Sequence, residues 1–481
     1  MRYLDMKRII CVFCAILGLL SVNAEVKLPA FFSNGMVLQQ QTTARLWGWS
    51  SKKNVTVTTS WDNKHYTAAT NKDGRFEMSV TTPTAGGPYE ITFNDGQQKR
   101  LSNILIGEVW ICSGQSNMEM QMKGFKGQPV AGTTEELLNC KDEKIRFFTV
   151  KRNPKALYQN DVTGQWDSAD AASVRDFSAT AYYFGKSLKN YLDVPVGLIV
   201  TSYGGSSCEA WMAREWLEED SIKAEWPKYY PEISFPITDG MVNKLHQRCP
   251  SALYNGQLKP LIGYAMRGVI WYQGEDNVPR YSYYAKLMKR MVDGWRSDWQ
   301  QGEFPFYYCQ IAPYDYSLID WSGSQYLREQ QLIAEKIISN SRMACLMDAG
   351  LEYGIHPRKK QEAGQRLALL ALANTYQTKG LPDFATYANV EFQNDTAVVS
   401  FDRSKEWVYF ENGKPTQGLY EIAGEDRVFH KAEAWISRNR LYLKSEKVKK
   451  PVAVRYAWKD WALGDLMHDG LPVSSFRSDS W

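Results

Sequence analysis

The stretch "ILIGEVWICSGQSNMEM", residues 104 to 120, joins an apolar run to a polar turn that opens a helical pattern. Its apolar part does not alternate with polar residues, which favours a strand covered on both faces. Four more runs of this kind follow it: "VPVGLIVTSYGG" (194–205), "AMRGVIWYQGE" (265–275), "FPFYYCQIAPY" (304–314) and "RMACLMDAG" (342–350). Helical patterns such as "YYAKLMKRMVDGW" and "YLREQQLIAEKII" lie between them. Together they predict a parallel α/β sheet with helical crossovers.

Short segments with alternating apolar and polar residues lie on both sides of this region, which is typical of half-buried strands. On the N-terminal side they are "TARLWGWS", "NVTVTTSW", "RFEMSVTT" and "YEITF", and on the C-terminal side "TAVVSF", "AEAWIS", "RLYLKS" and "VAVRYAW". We therefore predict an N-terminal β-sandwich-like domain at 25–102, an α/β domain at 103–380 and a C-terminal β domain at 381–481.

The first 24 residues have the pattern of a secretory signal peptide. Arg2, Lys7 and Arg8 precede the apolar run "IICVFCAILGLL", and the small-residue segment "SVNA" ends in Ala24. No later stretch approaches the roughly 18 apolar residues that a spanning helix needs. We expect a secreted or periplasmic protein that is not inserted in a membrane after signal cleavage.

The overall charge points to no polyanionic partner. The 481 residues contain 57 Lys and Arg against 53 Asp and Glu, a net charge of +4, without a basic block interleaved with aromatic residues. Nucleic acid is therefore not an expected partner. The five histidines follow no zinc-binding spacing, so no metal is expected either. Cys112, Cys309 and Cys345 fall in apolar runs and should be buried thiols.

Polar residues follow four of the predicted strands, at the edge where ligands bind in open α/β sheets. The segments are "SGQSN" (113–117), "SYGGSS" (202–207), "YQGEDN" (272–277) and "LEYGIHPRKK" (351–360). Acyl transfer needs an activated hydroxyl and preorganised donors for the oxyanion. Ser116 is the candidate nucleophile and His356 its base. Donors would be the backbone N–H groups of Ser116 and Gly205, with an amide of Gln273 or Asn277, and no cofactor is needed.

Other interpretations of these residues stay open. Ser116 and Glu119 form the S-x-x-E pattern of a capping box, a role compatible with catalysis. His356 is equally compatible with a plain loop position, and Gly204-Gly205 with a simple turn. Glu108, Glu119 and Glu275 near strand ends leave a glycosidase as a distant rival.

Four segments resemble the sialate O-acetylesterase family, a branch of the SGNH hydrolases: "IGEVWICSGQSNMEM", "SYGGSSCEAW", "IWYQGEDN" and "IHPRKKQEAGQRLAL". The resemblance implies a three-layer SGNH-hydrolase core, a flavodoxin-like parallel sheet, with flanking N-terminal and C-terminal β domains. It also implies removal of acetyl esters from sugar hydroxyls. The family's nucleophile falls on Ser116, its glycine block on Gly205, its third block on "QGEDN" and its histidine on His356.

The sequence departs from the family pattern in two places. The third block lacks the usual "GxND", so either Gln273 or Asn277 could face the oxyanion. The aspartate expected two or three residues before the histidine is replaced by Gly354 and Tyr353. Either a dyad operates or another acid substitutes, with Glu352 the nearest candidate and Asp348 the next.

The resemblance predicts an O-acetylated sugar or glycan as the substrate, and sialic acid is the first expectation. Acetylated plant polysaccharide, xylan or pectin, is the alternative, and so is a catalytically weakened glycan-binding relative. Trp211 and the aromatic loop "IAPYDYSLIDW" (311–321) could shape a sugar pocket or belong to the core. The sequence leaves the oligomeric state open.

Overall fold

The computed structural model describes residues 26–404 and 407–481. The predicted signal peptide lies outside the described residues. The strands of the N-terminal half are β1 Val37–Gln39, β2 Thr43–Trp49, β3 Asn54–Thr59, β4 His65–Ala69, β5 Arg75–Thr81, β6 Gly86–Asn94, β7 Gln98–Gly114, β8 Asp142–Thr149, β9 Trp166–Ala169 and β10 Val196–Ser202. They are followed by β11 Gly268–Tyr272, β12 Phe306–Cys309 and β13 Ser341–Ala344.

The α-helices are α1 Ser116–Glu119, α2 Thr133–Asn139, α3 Ala171–Arg175, α4 Ala179–Leu192, α5 Arg214–Leu217, α6 Asp220–Lys223, α7 Asp239–Leu245, α8 Tyr284–Trp299, α9 Ser324–Ile337 and α10 Lys360–Asn374. Short 3₁₀ segments cover Cys208–Trp211, Trp226–Lys228, His246–Arg248, Lys259–Leu261, Glu275–Tyr283 and Tyr316–Ile319, and one π-helical turn covers Tyr254–Leu258. Within the described residues, no helix is long and apolar enough to cross a membrane.

The central sheet has the strand order β13-β12-β11-β7-β10-β8-β9. Its neighbouring strands are parallel from β13 to β8, and β9 pairs antiparallel with β8. The five apolar runs form β7, β10, β11, β12 and β13, which confirms the α/β prediction. The sheet is mixed rather than purely parallel, because Trp166–Ala169 returns beside β8 as a short edge strand.

Strand β7 also belongs to the N-terminal module. It pairs antiparallel with β6 and parallel with β1 before it enters the central sheet between β10 and β11. The position 102/103, where the sequence suggested a domain boundary, therefore lies inside one continuous strand of 17 residues. The separate pair β2 and β5 completes the N-terminal module.

The central sheet is covered on both faces, as its non-alternating sequence predicts. Val109 and Ile111 of β7 belong to one buried cluster with side chains of α8 and α9. Trp110 and Cys112 belong to a second cluster with α4 and α10. All six cysteines of the described chain are buried free thiols, which confirms the prediction for Cys112, Cys309 and Cys345.

The C-terminal strands form three antiparallel sheets, with the orders β14-β15-β20-β19, β16-β22-β23 and β18-β17-β21-β24, among the residues described. Their bounds are β14 Thr386–Gln393, β15 Thr396–Asp402, β16 Val408–Phe410, β17 Tyr420–Ala423, β18 Phe429–Lys431, β19 Glu433–Ser437, β20 Arg440–Lys444, β21 Ala453–Tyr456, β22 Leu466–His468, β23 Leu471–Pro472 and β24 Phe476–Arg477. The predicted alternating segments account for β15, β19, β20 and β21.

Candidate active site

Ser116 lies at the sharp turn between β7 and α1. Gly114 has φ +137°, and a Cβ there would lie 2.2 Å from the carbonyl oxygen of Tyr272 on β11. Only glycine therefore lets the two strand ends approach so closely. The Gln115 N–H donates to that same carbonyl (2.9 Å), and its side-chain oxygen accepts from Gly274 N–H (3.2 Å). These contacts fix the serine turn to the end of β11.

The predicted capping box of Ser116 and Glu119 is not formed. Gln115 is the N-cap and Ser116 is the first helical residue, so the hydroxyl is not used as a cap. Glu119 instead accepts two hydrogen bonds from Arg152 (2.7 and 2.6 Å) and one from Gly204 N–H (2.8 Å). The Glu119 carboxylate is thus bound by Arg152 and by the Gly204 N–H instead of by the helix N-terminus. Its bond to Gly204 joins the glycine turn to the serine helix.

Ser116, Gly205 and His356 line one pocket of about 370 Å³. Gly205 has φ +70°, a left-handed conformation that favours glycine. Throughout the described residues, the backbone N–H groups of Ser116 and Gly205 have no hydrogen-bond partner. The pocket therefore holds a half-buried serine hydroxyl, an imidazole and two free backbone donors.

Two aromatic side chains, those of Trp321 and Phe125, complete the pocket, and only the first of them belongs to a segment named from the sequence. Trp321 from the loop 311–321 lines it, and so does Phe125. Trp211 lies fully buried in the core against Trp271, with its indole N–H donating to Ser206 Oγ. The aromatic loop therefore contributes to the pocket and Trp211 does not.

His356 lies in the loop between β13 and α10 and is held from two sides. The Asn117 amide, next to the serine, donates to the backbone carbonyl of Ile355 (3.1 Å). The Phe125 ring meets the imidazole edge to face, with centroids 5.1 Å apart and planes at 75°. Gln128 Oε1 lies 2.5 Å from His356 Nδ1.

Neither acid suggested for the third triad position contacts the imidazole. The Asp348 carboxylate makes a two-point ion pair with Arg366, at 2.6 Å for both contacts. The Glu352 side chain has no hydrogen bond or ion pair within the part of the chain that the structure describes. An amide, that of Gln128, occupies the place beside Nδ1 where a triad carboxylate would lie.

Gln273 and Asn277 lie behind the pocket wall and are fully buried. The Gln273 amide donates to Ser206 O (3.1 Å) and Asn277 Oδ1 (2.7 Å). Asn277 Oδ1 also accepts from Cys208 N–H (3.0 Å). These amides therefore hold the glycine turn from behind, and neither lines the pocket as the sequence suggested.

A buried ionic network continues this support. Asn277 donates to Glu209 Oε2 (3.0 Å), and Arg280 Nε donates to Glu209 Oε1 (3.0 Å). Arg280 also donates to Asp276 Oδ2 (2.8 Å), whose other oxygen accepts from Arg248 Nε (2.6 Å). Burial works to raise the pKa of Glu209, but the Arg280 charge and the hydrogen bonds from Tyr283 and Arg280 together outweigh it, and the pKa is lowered. Glu209 is therefore a buried carboxylate kept ionised by its partners.

A second buried polar cluster lies beside the serine and involves Lys360, Asn117 and Glu275. Lys360 Nζ donates to Asn117 Oδ1 (2.5 Å), and Asn117 donates to Glu275 Oε1 (2.5 Å). Burial lowers the pKa of Lys360 to about 7 and raises the pKa of Glu275. Burial, together with the Lys360 charge, lowers the pKa of His356 from 6.5 to about 4. The imidazole is therefore neutral, and able to accept a proton, at neutral pH.

This low pKa predicts an unusually acidic limb in the pH-rate profile. His356 accepts a proton only above its own pKa, so kcat/KM for an aryl acetate should decrease on acidification with a midpoint near pH 4. Steady-state rates from pH 3.5 to 8, with intrinsic fluorescence as the control for folding at each pH, check this. A midpoint near 6.5 would contradict the assignment of a buried, neutral base.

The comparisons with known proteins identify the family. Residues 106–371 match the family described as carbohydrate esterase, sialic acid-specific acetylesterase. That segment begins within β7, ends within α10 and contains every pocket residue named above. The chain belongs to this carbohydrate esterase family. It is a carbohydrate O-acetylesterase, similar to proteins that carry that activity in their names.

The esterase is 26% identical to the human sialate O-acetylesterase over 398 residues, which cover 75% of this chain and 73% of the human protein. It is 27% identical to the rat sialate O-acetylesterase over 410 residues, 74% of each chain. The crystal structure of a carbohydrate acetylesterase from Xanthomonas citri is similar, with a TM-score of 0.85 and 30% identity over 95% of this chain and 100% of that one.

Several residues that line the esterase's pocket or contact its lining residues were not assigned a role there from the sequence. Gln128 and Phe125 lie in a segment with no strand-end signal, and Arg248 lies in a region of short helical turns. Asn117 lies inside a quoted motif, where a polar residue next to the nucleophile gave a signal that was not used. Glu275 was considered only as a glycosidase carboxylate. Glu108 lies away from the pocket, paired with Arg267 (2.7 Å).

Proposed function

We propose that the esterase hydrolyses acetyl esters on sugar hydroxyls through an acetyl-Ser116 intermediate, with His356 as the base. The observation that carries this proposal is the meeting of Ser116, His356 and the two free N–H groups in one pocket. A nucleophile, a base and oxyanion donors are the parts that acyl transfer requires.

The reaction has two steps. In the first, His356 Nε2 takes the Ser116 proton while Oγ attacks the acetyl carbon, and the negative charge on the carbonyl oxygen faces the N–H groups of Ser116 and Gly205. The C–O bond to the sugar then breaks, and the imidazolium returns the proton to the sugar oxygen. In the second, His356 removes a proton from water, the hydroxide attacks the acetyl-enzyme, and acetate leaves as Ser116 is protonated again.

In this mechanism Gln273 and Asn277 support the oxyanion site without donating to it. Their amide groups hold Ser206 and Cys208, which follow Gly205 in the turn. A donor that must point at a developing charge has to be fixed before the reaction occurs. We assign these two amides the role of fixing the Gly205 N–H.

The wider assignments are also part of the proposal. Parallel strands with helices on both faces, together with the order of the four motifs, support a three-layer SGNH-hydrolase core at 103–380 with β domains on each side. The charged and apolar pattern of residues 1–24 supports export, which makes the esterase secreted or periplasmic.

For the substrate we propose an acidic O-acetylated sugar, with sialic acid first. The family description and the names of the human and rat relatives support this choice. Arg248 supports it independently: it lines the pocket, and its Nε is fixed by Asp276. Its terminal nitrogens have no partner among the residues described, so they are available to a substrate carboxylate.

Acetate release from O-acetylated sialic acid, acetylated pectin and acetylated xylan, measured side by side, tests this substrate class. We expect a higher kcat/KM on sialic acid and pectin than on xylan, because both acidic substrates offer a carboxylate to Arg248, and the family description puts sialic acid first. Preference for xylan would overturn the acidic-sugar assignment but leave the esterase chemistry intact. Absence of acetate release from all three and from an aryl acetate would favour a weakened glycan-binding protein.

Replacing Arg248 with glutamine should raise KM for O-acetylated sialic acid about 10-fold or more, the value of a charge-assisted hydrogen bond. KM for acetylated xylan should stay unchanged, because that substrate offers no carboxylate. Arg214→Gln, at an exposed arginine paired with Glu218, is the matched control. An equal KM increase on both substrates would show that Arg248 does not recognise charge.

A further inference from the structure

We infer that Gln128 is the positioning residue for His356 and replaces the triad acid with a neutral amide. The inference rests on the proposed function, in which His356 is the base. His356 lacks the aspartate of the family pattern, but its Nδ1 atom has a partner, and that partner carries no charge.

The segment that carries Gln128 is built to hold the imidazole. Phe125 and Gln128 close a tight turn by two reciprocal backbone hydrogen bonds, Phe125 N–H to Gln128 O (3.0 Å) and Gln128 N–H to Phe125 O (2.9 Å). Both side chains of this turn contact His356, one through its ring and one through its amide oxygen. The turn thus holds the imidazole by two contacts, the Phe125 ring packed edge to face against it and the Gln128 amide oxygen at Nδ1; we call this turn the clamp.

The clamp is anchored to the histidine loop itself. Ala131 N–H, three residues after Gln128, donates to Arg358 O (2.9 Å), two residues after His356. Asn117 also donates to the carbonyl of Ile355, the residue before His356 (3.1 Å). The loop of His356 is therefore fixed both by the Gln128 segment and by the residue that follows the nucleophile.

An acceptor at Nδ1 selects one tautomer of the ring. When Gln128 Oε1 accepts the Nδ1 proton, the lone pair lies on Nε2, which is the arrangement a base for Ser116 needs. A carboxylate in this place would also stabilise the imidazolium that forms during catalysis. A neutral amide supplies the first effect and not the second, which agrees with the lowered pKa of His356.

The charges around His356 decide how a carboxylate at position 128 would act. Burial, and after it the charge of Lys360, lowers the pKa of His356. The pocket wall carries Glu275 and two ion pairs, Glu119 with Arg152 and Asp276 with Arg248. Lys126 and Arg358 are exposed near the contact. Since each wall ion pair is locally balanced, a new carboxylate 2.5 Å from Nδ1 would dominate the change.

The test compares Gln128→Glu with Gln128→Met on an aryl acetate. In Gln128→Glu, the acidic limb of the pH-rate profile should move upward by about one pH unit or more, since an opposite charge this close favours the protonated ring. In Gln128→Met, which keeps the length and removes the acceptor, kcat should decrease about 10-fold at unchanged KM, the value of one neutral hydrogen bond. A merely structural role would not move the pH limb.

Gln121→Met is the matched control, because Gln121 lies in the same segment and its side chain has no hydrogen bond within the described chain; it should behave as the wild type. An unmoved limb in Gln128→Glu, or wild-type kcat in Gln128→Met, would overturn the inference. Ser116→Ala, run in parallel, separates the two proposals: if that variant keeps full turnover, the proposed function itself is wrong. If the Glu variant does not fold, the kcat of Gln128→Met decides.

Discussion

Replacing Ser116 with alanine should lower kcat on an aryl acetate by about 10⁴-fold or more, the largest effect expected of any single change in the pocket. The alanine variant cannot form the acetyl-enzyme, while the free N–H groups of residue 116 and Gly205 remain in place. Residual catalysis by those donors and by binding sets the lower limit of the rate.

Steady-state acetate release and titration with a fluorophosphonate measure this effect, since the reagent should label wild-type Ser116 and not the variant. Ser113→Ala is the matched control. Ser113 lies three residues earlier on β7, is fully buried, and its hydroxyl has no partner among the described side chains. The control should keep turnover near the wild-type value. Turnover of Ser116→Ala near that value would remove Ser116 as the nucleophile.

The central sheet could be predicted from the sequence because its signal is local. A strand covered on both faces is apolar throughout, and each of the five runs is such a segment. Strand β9 was missed because Trp166–Ala169, at the sheet edge, is only four residues long and too short to show a periodic pattern. The continuity of β7 across residue 102 was missed because its first part, residues 98–103, is polar apart from Leu101 and its second part is mostly apolar, a change that suggests two elements.

The meeting of Ser116 and His356 in one pocket could be predicted for a related reason. Parallel strands end at one edge, so polar residues after each strand meet whatever the loop lengths are. The direction in which each side chain points at that edge could not be predicted in this way. Gln273 and Asn277 follow the correct strand, but their amides are satisfied by Ser206, Cys208 and each other, and so they point away from the pocket.

The partner of His356 was beyond local reasoning. Gln128 is 228 residues away in sequence and reaches the imidazole through an irregular turn. The family pattern places an acid at a fixed offset before the histidine, whereas here Asp348 is paired with Arg366 and Glu352 makes no hydrogen bond to the ring. A contact between two loops depends on tertiary packing, which leaves no periodic pattern in the sequence. A neutral side chain that takes the place of an acid is not part of any known motif.

The second large effect is expected on stability and concerns Glu209. Glu209→Gln should lower the free energy of unfolding by about 3–5 kcal/mol, because it removes one partner of a buried ion pair. Glu209 is fully buried and Arg280 only 8% exposed, so water cannot replace the lost charge. The substitution keeps the shape of the side chain, so the loss reports the charge and its hydrogen bonds and not a cavity.

Urea denaturation followed by tryptophan fluorescence measures this change, and Glu218→Gln is its control. Glu218 pairs with Arg214 at a surface where the two side chains are 35% and 44% exposed, so its replacement should cost less than about 1 kcal/mol. Equal midpoints for the two variants would show that the buried network does not stabilise the fold.

Because Glu209 holds Asn277, which in turn holds Cys208 N–H, the Gln variant should also lose activity below its unfolding midpoint, as the Gly205 donor loses its support. Stability and oxyanion geometry therefore depend on the same buried carboxylate.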